Sequence, residues 1–485
     1  MARRRRGSWK KVLAGLGAAL VVLAVVLVVR ALGGDEPPTR REPLTLEIDT
    51  ERAAERLAAY LRQDTSTPPG ISRDPRPAHL DTLIADYAEP LGLEAAVYEG
   101  RILLLRWRAG AEEGGPIVLL SHADVVPVAE EERERWTHPP FGGVVEDGYV
   151  WGRGAIDDKG ATIAQLEAIA ALQAAGLTPR RDVFLLISPD AEIGGEEGAG
   201  AVLARHAHRL EEPWAVLDQG TFVAPDFVTG TTIVPVGVGE KRSVTIELRV
   251  NGEAGDSSMP EPNASPSVLT TALARLNALE LDAQLLPATE AFLDRIAGHA
   301  SFGERIALRN RWLFGGAVES MLAQRPASNA MIRDTIALTM LRAGMKDSVV
   351  PARAVATLNL RLLPDSELAA VLRDVEETID DPRVQIEVIT DSGPAPVSSV
   401  EGEAWRRLHA ALATAFDDDA VVAPMITPDT LDARFFARRG IPTYRLVPFT
   451  LDANERGRVH GIDERVSLEN LEQGARVYAH VMRYW

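Results

Sequence analysis

The apolar positions of this chain change texture along its length, and each texture predicts a different kind of element. The first is an uncharged apolar run from Val12 to Val29, preceded by "RRRR" at 3 to 6 and by Lys10 and Lys11. At about 1.5 Å per residue, a helix over this run spans roughly 27 Å, the thickness of a hydrocarbon core. Basic flanks stay in the cytoplasm. The expected layout is therefore a basic cytoplasmic tail at 1–11, a transmembrane anchor at 12–29 and a linker at 30–43, whose "GGDEPPTRREP" is rich in Gly, Pro and charge. Everything after it then lies in the periplasm or outside the cell. A cleaved signal peptide is the competing reading, with "VRA" at 29–31 loosely resembling a cleavage site, although signal peptides usually have a shorter apolar core.

From Leu44 onward, strand-like apolar runs alternate with helical spacing, the pattern of an α/β domain. "PIVLLSHADVVPV" and "RDVFLLISPD" are continuous apolar runs that end in polar residues, as buried strands do when a site lies at their carboxyl ends. "KGATIAQLEAIAALQAAG", 159–176, has helical spacing and stops at Gly176. Near residue 240 the pattern becomes strict alternation. "EKRSVTIELRVNG" and "ARAVATLNLRLLP" at 352–364 predict one-sided strands of a second sheet. The expected division is a first domain at 44–239 and 365–485, with an insert at 240–364 enlarged by helices over 280–330.

Composition narrows the function. The 485 residues include 46% hydrophobic ones and carry a formal charge of −18, so the surface repels nucleic acid phosphates and suits small molecules or peptides. The first 30 residues hold seven positive and no negative charges, leaving about −25 on the rest. Cysteine is missing, which removes disulfides, thiolate ligands and a cysteine nucleophile. Any metal must be held by His, Asp and Glu.

Four phrases put such residues at strand ends or loops: "SHADVVPV", "WGRGAIDDKG", "SPDAEIGG" and, far downstream, "VHGIDERVS". Their order resembles the zinc aminoacylase and carboxypeptidase family, the M-twenty metallopeptidases, in particular its larger membrane-anchored or secreted carboxypeptidase-like members. The resemblance runs from Leu44 to Trp485. It implies a catalytic domain with a central mixed sheet flanked by helices, and an inserted α/β lid that pairs two chains into a homodimer. It also implies two zinc ions, with manganese or cobalt as alternatives, held by His122, Asp157 as the bridge, Glu192, Asp218 and His460. Asp124, two residues after His122, would orient that imidazole. The other seven histidines are read as ordinary, and Trp136 of "WTHPPFGG" as core.

The same comparison exposes departures. The family reads Pro-Asp-Glu-Glu-x-Gly-Gly where this chain has "PDAEIGG", so Ala191 occupies the place of the general base. A methyl group takes no proton, and losing such a base commonly costs about 10² to 10⁴ in rate. Glu196, Glu197 and Asp190 are the nearby carboxylates that could substitute. "GDSSMP" puts Asp256 where the family has an oxyanion-stabilising histidine, Ser348 stands for an asparagine, and Gln219 follows Asp218 where Glu is usual. "TPDTLDARFF" resembles a Thr-Asp-x-Arg phrase whose arginine grips a substrate carboxylate, which nominates Arg434, with Arg361 of "NLRLLP" as the weaker candidate. The expected function is hydrolysis of the amide bond in a peptide or N-acyl amino acid with a free carboxylate. The alternative is a catalytically silent zinc-containing protein that binds such ligands.

Overall fold

The continuous apolar runs become the middle of an eight-stranded mixed sheet in the computed structural model, which describes residues 5–33, 39–67, 77–109, 114–228 and 230–485. Residues 1–4 of the expected tail and 34–38 of the expected linker lie outside the described residues. In spatial order the sheet's strands are Glu94–Tyr98, Ile102–Trp107, Val183–Ser188, Ile117–His122, Ala215–Val228, Thr443–Thr450, Thr231–Glu240 and Val421–Thr427. Val183–Ser188 and Ile117–His122 are parallel neighbours, buried at every position, in a register that sets His122 beside Ser188. Their carboxyl ends therefore open into the same place. Helices Lys159–Ala174 and Leu468–Tyr484 pack together in the main core, whose members include Ile163, Leu166, Val477 and Met482. Phe436 and Val202, from two short helices, bury the other face with Leu120 and Leu186.

The alternating segments form a second, four-stranded antiparallel sheet in the order Thr335–Ala343, Arg353–Leu362, Arg242–Asn251, Val384–Asp391. Val244, Ile246, Leu248 and Val250 point inward with Ala354, Ala356, Leu358, Leu360 and Leu362, against helices Ser265–Leu276 and Leu368–Ile379. This sheet differs from the expected boundary, because it draws its last strand and a covering helix from beyond residue 365. The segment 365–391 has an amphipathic helix and an apolar strand that find their partners here. The helices over 287–322 also go elsewhere. Phe292, Leu293, Ile296, Val318 and Leu322 bury against Ile233 and Ala423 of the large sheet's edge.

The N-terminal apolar run forms one helix, Arg5–Leu32, long and apolar enough over Val12–Leu32 to cross a membrane by length and composition. Its apolar side chains are mostly exposed.

Candidate metal centre

Two parallel strands deliver the first pair of side chains. His122 ends one of them, and the neighbouring strand continues into the acidic turn that carries Glu192 on a short helical turn, Ala191–Ile193. This turn needs its glycines. Gly195 has φ +66°, and a Cβ there would sit 1.8 Å from Asp432 Oδ1. Asp157 comes from the loop before the Lys159–Ala174 helix, and His460 from a loop before the last helix.

These four side chains meet around the Asp157 carboxylate. His122 Nε2 lies 3.1 Å from Asp157 Oδ1, and His460 Nε2 lies 3.1 Å from Oδ2 of the same group. His460 Nε2 also lies 2.9 Å from Glu192 Oε1. Ligand atoms of His122, Asp157 and Glu192 fall within 4.8 Å of one another. The second nitrogen of His122 is committed, since Nδ1 is 2.9 Å from the Asp124 carbonyl oxygen, which accepts its proton and leaves Nε2 facing inward.

The side chain of Asp124 also has main-chain donors. Its carboxylate, 3.4 Å from His122 Nδ1, accepts the N–H of Ala191 at 3.1 Å and of Glu192 at 3.0 Å. It thereby ties the acidic turn to the histidine strand. Asp218 is buried at the same end of the sheet, but its oxygens accept from the N–H of Gln219 (2.8 Å) and Ala433 (2.7 Å). It stands beside the cluster without joining the group of close ligand atoms.

The charges explain one another. Burial pulls the His122 imidazole down, yet bonds to Asp124 and Asp157 outweigh it and hold the group well above its usual range. His460 is pushed up to about 10 by its bonds to Asp157 and Glu192. Burial works to raise Asp157, but the two imidazoles hold it below the usual carboxylate range. Burial raises Glu192, and it raises Asp218 to about 7 with help from neighbouring Asp432. The cluster thus surrounds its carboxylates with positive charge on imidazole nitrogens, the charge that a divalent cation would supply instead. Two imidazoles and several carboxylates are a donor set suited to zinc, manganese or cobalt.

A pair with no assigned role in the sequence holds the loops together. Arg153 of "WGRGAIDDKG" donates to Glu464 Oε2 at 2.6 Å and to the His460 carbonyl at 3.0 Å. Glu464 Oε1 accepts the N–H of Ile156 at 3.0 Å and of Asp157 at 3.2 Å. Both side chains are buried, and Trp136 lies under the Arg153 guanidinium as part of the core. The only signal in the sequence was that both residues sit inside the phrases bearing the candidate ligands.

Other expected site residues are placed differently. Arg434 is 3% exposed and spends its guanidinium on the carbonyls of Leu431 (2.8 Å) and Gly194, so it braces the acidic turn. Arg361 is half-buried, bonded to Thr430 Oγ1 at 3.1 Å and to Asn359. Of the nearby carboxylates, Glu197 pairs with Arg101, Glu196 lies 3.7 Å from Arg434, and Asp190 accepts the Glu197 N–H at 2.8 Å. Asp256 is exposed on a two-residue strand paired with Val349 and Val350, with Ser257 bonded to Ser348, so two of the altered positions are neighbours.

With this geometry established, comparison with known proteins decides the family. Residues 118–484 match the model of peptidase family M20/M25/M40. The chain belongs to the M20 peptidase family. It is 33% identical over 386 residues to a probable carboxypeptidase S-like 2 of Dictyostelium discoideum, covering 79% of this chain and 74% of that protein. It is also 33% identical over 362 residues to the mouse N-fatty-acyl-amino acid synthase/hydrolase PM20D1, covering 74% and 71%. Among solved structures, the M20 metallo-carboxypeptidase Sso-CP2 of Sulfolobus solfataricus aligns with TM-score 0.66 at 16% identity, over 89% of this chain and 98% of that one. Human carnosine dipeptidase 1 aligns with TM-score 0.63 at 16% identity, over 89% and 96%. M20 architecture accounts for the mixed sheet and its flanking helices. M20 peptidases are metal-dependent hydrolases, in keeping with the His/Asp/Glu cluster.

Proposed function

We propose that this M20 member is a membrane-anchored amidohydrolase, with its body on the periplasmic or extracellular side, acting on N-acyl amino acids or short peptides that end in a free carboxylate. The observation that carries this reading is the Asp157 carboxylate, one oxygen to each histidine. His122, Asp157, Glu192 and His460 would hold two zinc ions, and Asp218 would complete the set by exchanging its Ala433 N–H for a cation. A bound divalent ion supplies Lewis-acid polarisation of the amide carbonyl and a lowered pKa for water. The chain's own residues supply the rest. Asp124 fixes the His122 tautomer and the acidic turn, and Arg153 with Glu464 fixes the loops of Asp157 and His460. Arg361 replaces Arg434 as the group offered to the substrate carboxylate, because Arg434 is committed to main-chain carbonyls.

Ala191 favours a second reading, a silent zinc-containing protein that binds such ligands. Its Cβ provides no acceptor for the proton that amide hydrolysis must move. Hydrolysis of N-acyl amino acids and dipeptides by zinc-, manganese- and cobalt-loaded protein, beside Ala191→Glu, separates the two. Turnover by the parent supports the enzyme. Metal binding with turnover only after Ala191→Glu supports the silent protein, and no metal binding by either chain removes both.

A further inference from the structure

The Arg311–Leu322 helix presents an unusual outer face. Its exposed positions are Trp312, Leu313, Gly316, Ala317, Ser320 and Met321, which recur four and one residues apart and form a continuous stripe without a charge. Trp312 is 60% exposed, Leu313 46% and Met321 39%. The opposite face is conventional, with Val318 and Leu322 buried against the large sheet's edge. Phe302, at the start of the preceding helix, adds a ring that is 52% exposed. On a body this acidic, a bare apolar stripe ending in a tryptophan calls for an apolar partner.

Its position says which partner. The preceding helix, Phe302–Arg309, packs on the N-terminal helix. Asn310 Nδ2 donates to the Leu27 carbonyl at 3.1 Å, and Arg30 Nε donates to the Arg309 carbonyl at 3.3 Å. Leu27 lies within the apolar run, three residues or about 4.5 Å below Arg30 at its outer end. The junction between the two helices is therefore at the depth where headgroups meet acyl chains. Arg30, Arg309, Arg311, Asp294 and Trp312 line one cleft there, a mixed-charge rim with an indole, the composition that lies at a membrane–water boundary.

We propose that the Trp312–Met321 stripe is a second membrane contact, which lies in the outer interface of the bilayer beside the anchor and holds the catalytic body against the membrane surface. The inference rests on reading Val12–Leu32 as a span. The contact is in-plane and shallow, as for amphipathic helices that bury one face about 5–10 Å into the boundary. A protein partner covering the same stripe would have to enter that layer beside the span.

The chain has no cysteine, so single cysteines report cleanly. Full-length protein carrying Val22→Cys, Leu313→Cys, Met321→Cys or Met259→Cys is labelled with an environment-sensitive fluorophore and reconstituted in phosphatidylcholine vesicles. Vesicles in turn carry nitroxide lipids with the quencher near the head or near the bilayer centre. Expected are a blue shift and loss of emission at positions 313 and 321 with the shallow quencher, loss at 22 with the deep one, and neither at 259, which is 76% exposed elsewhere on the surface. Quenching at 22 without quenching at 313 and 321 overturns the contact and leaves the anchor standing. Unquenched label at 22 overturns the anchor and the contact with it, and equal quenching at 259 shows general adhesion and overturns the specific face.

Discussion

Replacing Glu464 by alanine tests whether the metal cage depends on the ion pair beneath it. The change strands the Arg153 guanidinium, 2% exposed, with the His460 carbonyl as its remaining close acceptor, and takes the acceptor from the N–H groups of Ile156 and Asp157. A buried charge left without its partner costs about 3–5 kcal/mol. Each orphaned N–H adds about 1–3 kcal/mol where water does not reach it. Allowing for water entering the space left by the side chain, the net loss should be about 4 kcal/mol or more. Glu464→Gln keeps one acceptor and should lose about 1–3 kcal/mol. Both ligand loops hang on this pair, so zinc affinity should fall about 10–100-fold, as for other residues that orient metal ligands. Zinc then stabilises the variant less than the parent by about 1.4–2.7 kcal/mol, since each tenfold in affinity is about 1.4 kcal/mol. The assay is chemical denaturation with and without saturating zinc, with Arg383→Ala as a control. Arg383 pairs with Asp381 at the surface, where solvent screens the pair, so losing it should leave the denaturation curve close to the parent's. If Glu464→Ala unfolds within about 1 kcal/mol of the parent and zinc shifts both curves equally, the pair does not support the cage.

Four further outcomes are expected. Ala191→Glu should raise hydrolysis of an N-acyl amino acid, by up to about 10² to 10⁴ if the restored carboxylate is well placed, while leaving metal content unchanged in elemental analysis. Asp157→Asn should lower bound metal from about two ions per chain to one or none, with the far-ultraviolet dichroism unchanged. His409 is held down to about 4 by burial and by the field of Arg295, so the folded protein keeps it neutral where the unfolded chain takes up a proton; stability is fully present above about pH 6.5 and falls toward pH 4 by at most about 3 kcal/mol, and His409→Gln should flatten that part of the acid denaturation profile. Light scattering on protein lacking residues 1–40 should give a dimer at micromolar concentration, since Leu338, Leu341, Val388 and Ile389 leave apolar side chains exposed on the second sheet's two outer strands, and Leu341→Asp should shift it toward monomer.

The sequence revealed most where one residue type had to do one job. Strand-ending apolar runs flag the sheet's carboxyl ends, where the structure gathers His122 and Glu192, and the alternation in 243–251 announced a sheet with one wet face. Boundaries were less legible. The strand Val384–Asp391 joins the second sheet through pairing with Arg242–Asn251, more than a hundred residues away, and no local pattern encodes a partner. Arginine contacts were the hardest to foresee. Arg434 and Arg153 share one chemistry, and only the folded chain shows that the first meets the carbonyls of Leu431 and Gly194 and the second the Glu464 carboxylate and the His460 carbonyl. Pairing at a distance of 311 residues, as between Arg153 and Glu464, leaves no trace in spacing.

The geometry also explains how the acidic turn keeps its shape with alanine at the base position. What fixes Glu192 is main chain: the N–H groups of residues 191 and 192 donate to Asp124, and the Gly194 carbonyl accepts from Arg434. None of these bonds uses the side chain at 191. A turn held through its backbone presents the same Glu192 carboxylate whether the preceding residue carries a carboxylate or a methyl group, so under the proposed function metal binding and proton transfer are separable. That separation gives Ala191→Glu its meaning, because a carboxylate added there enters a turn whose path is already set by Asp124, Arg434 and Gly195. A rate that rises with unchanged metal content would assign the missing step to position 191. A fall in metal content on the same change would show that the side chain at 191 does reach the ligands, and that the main-chain account of the turn is incomplete.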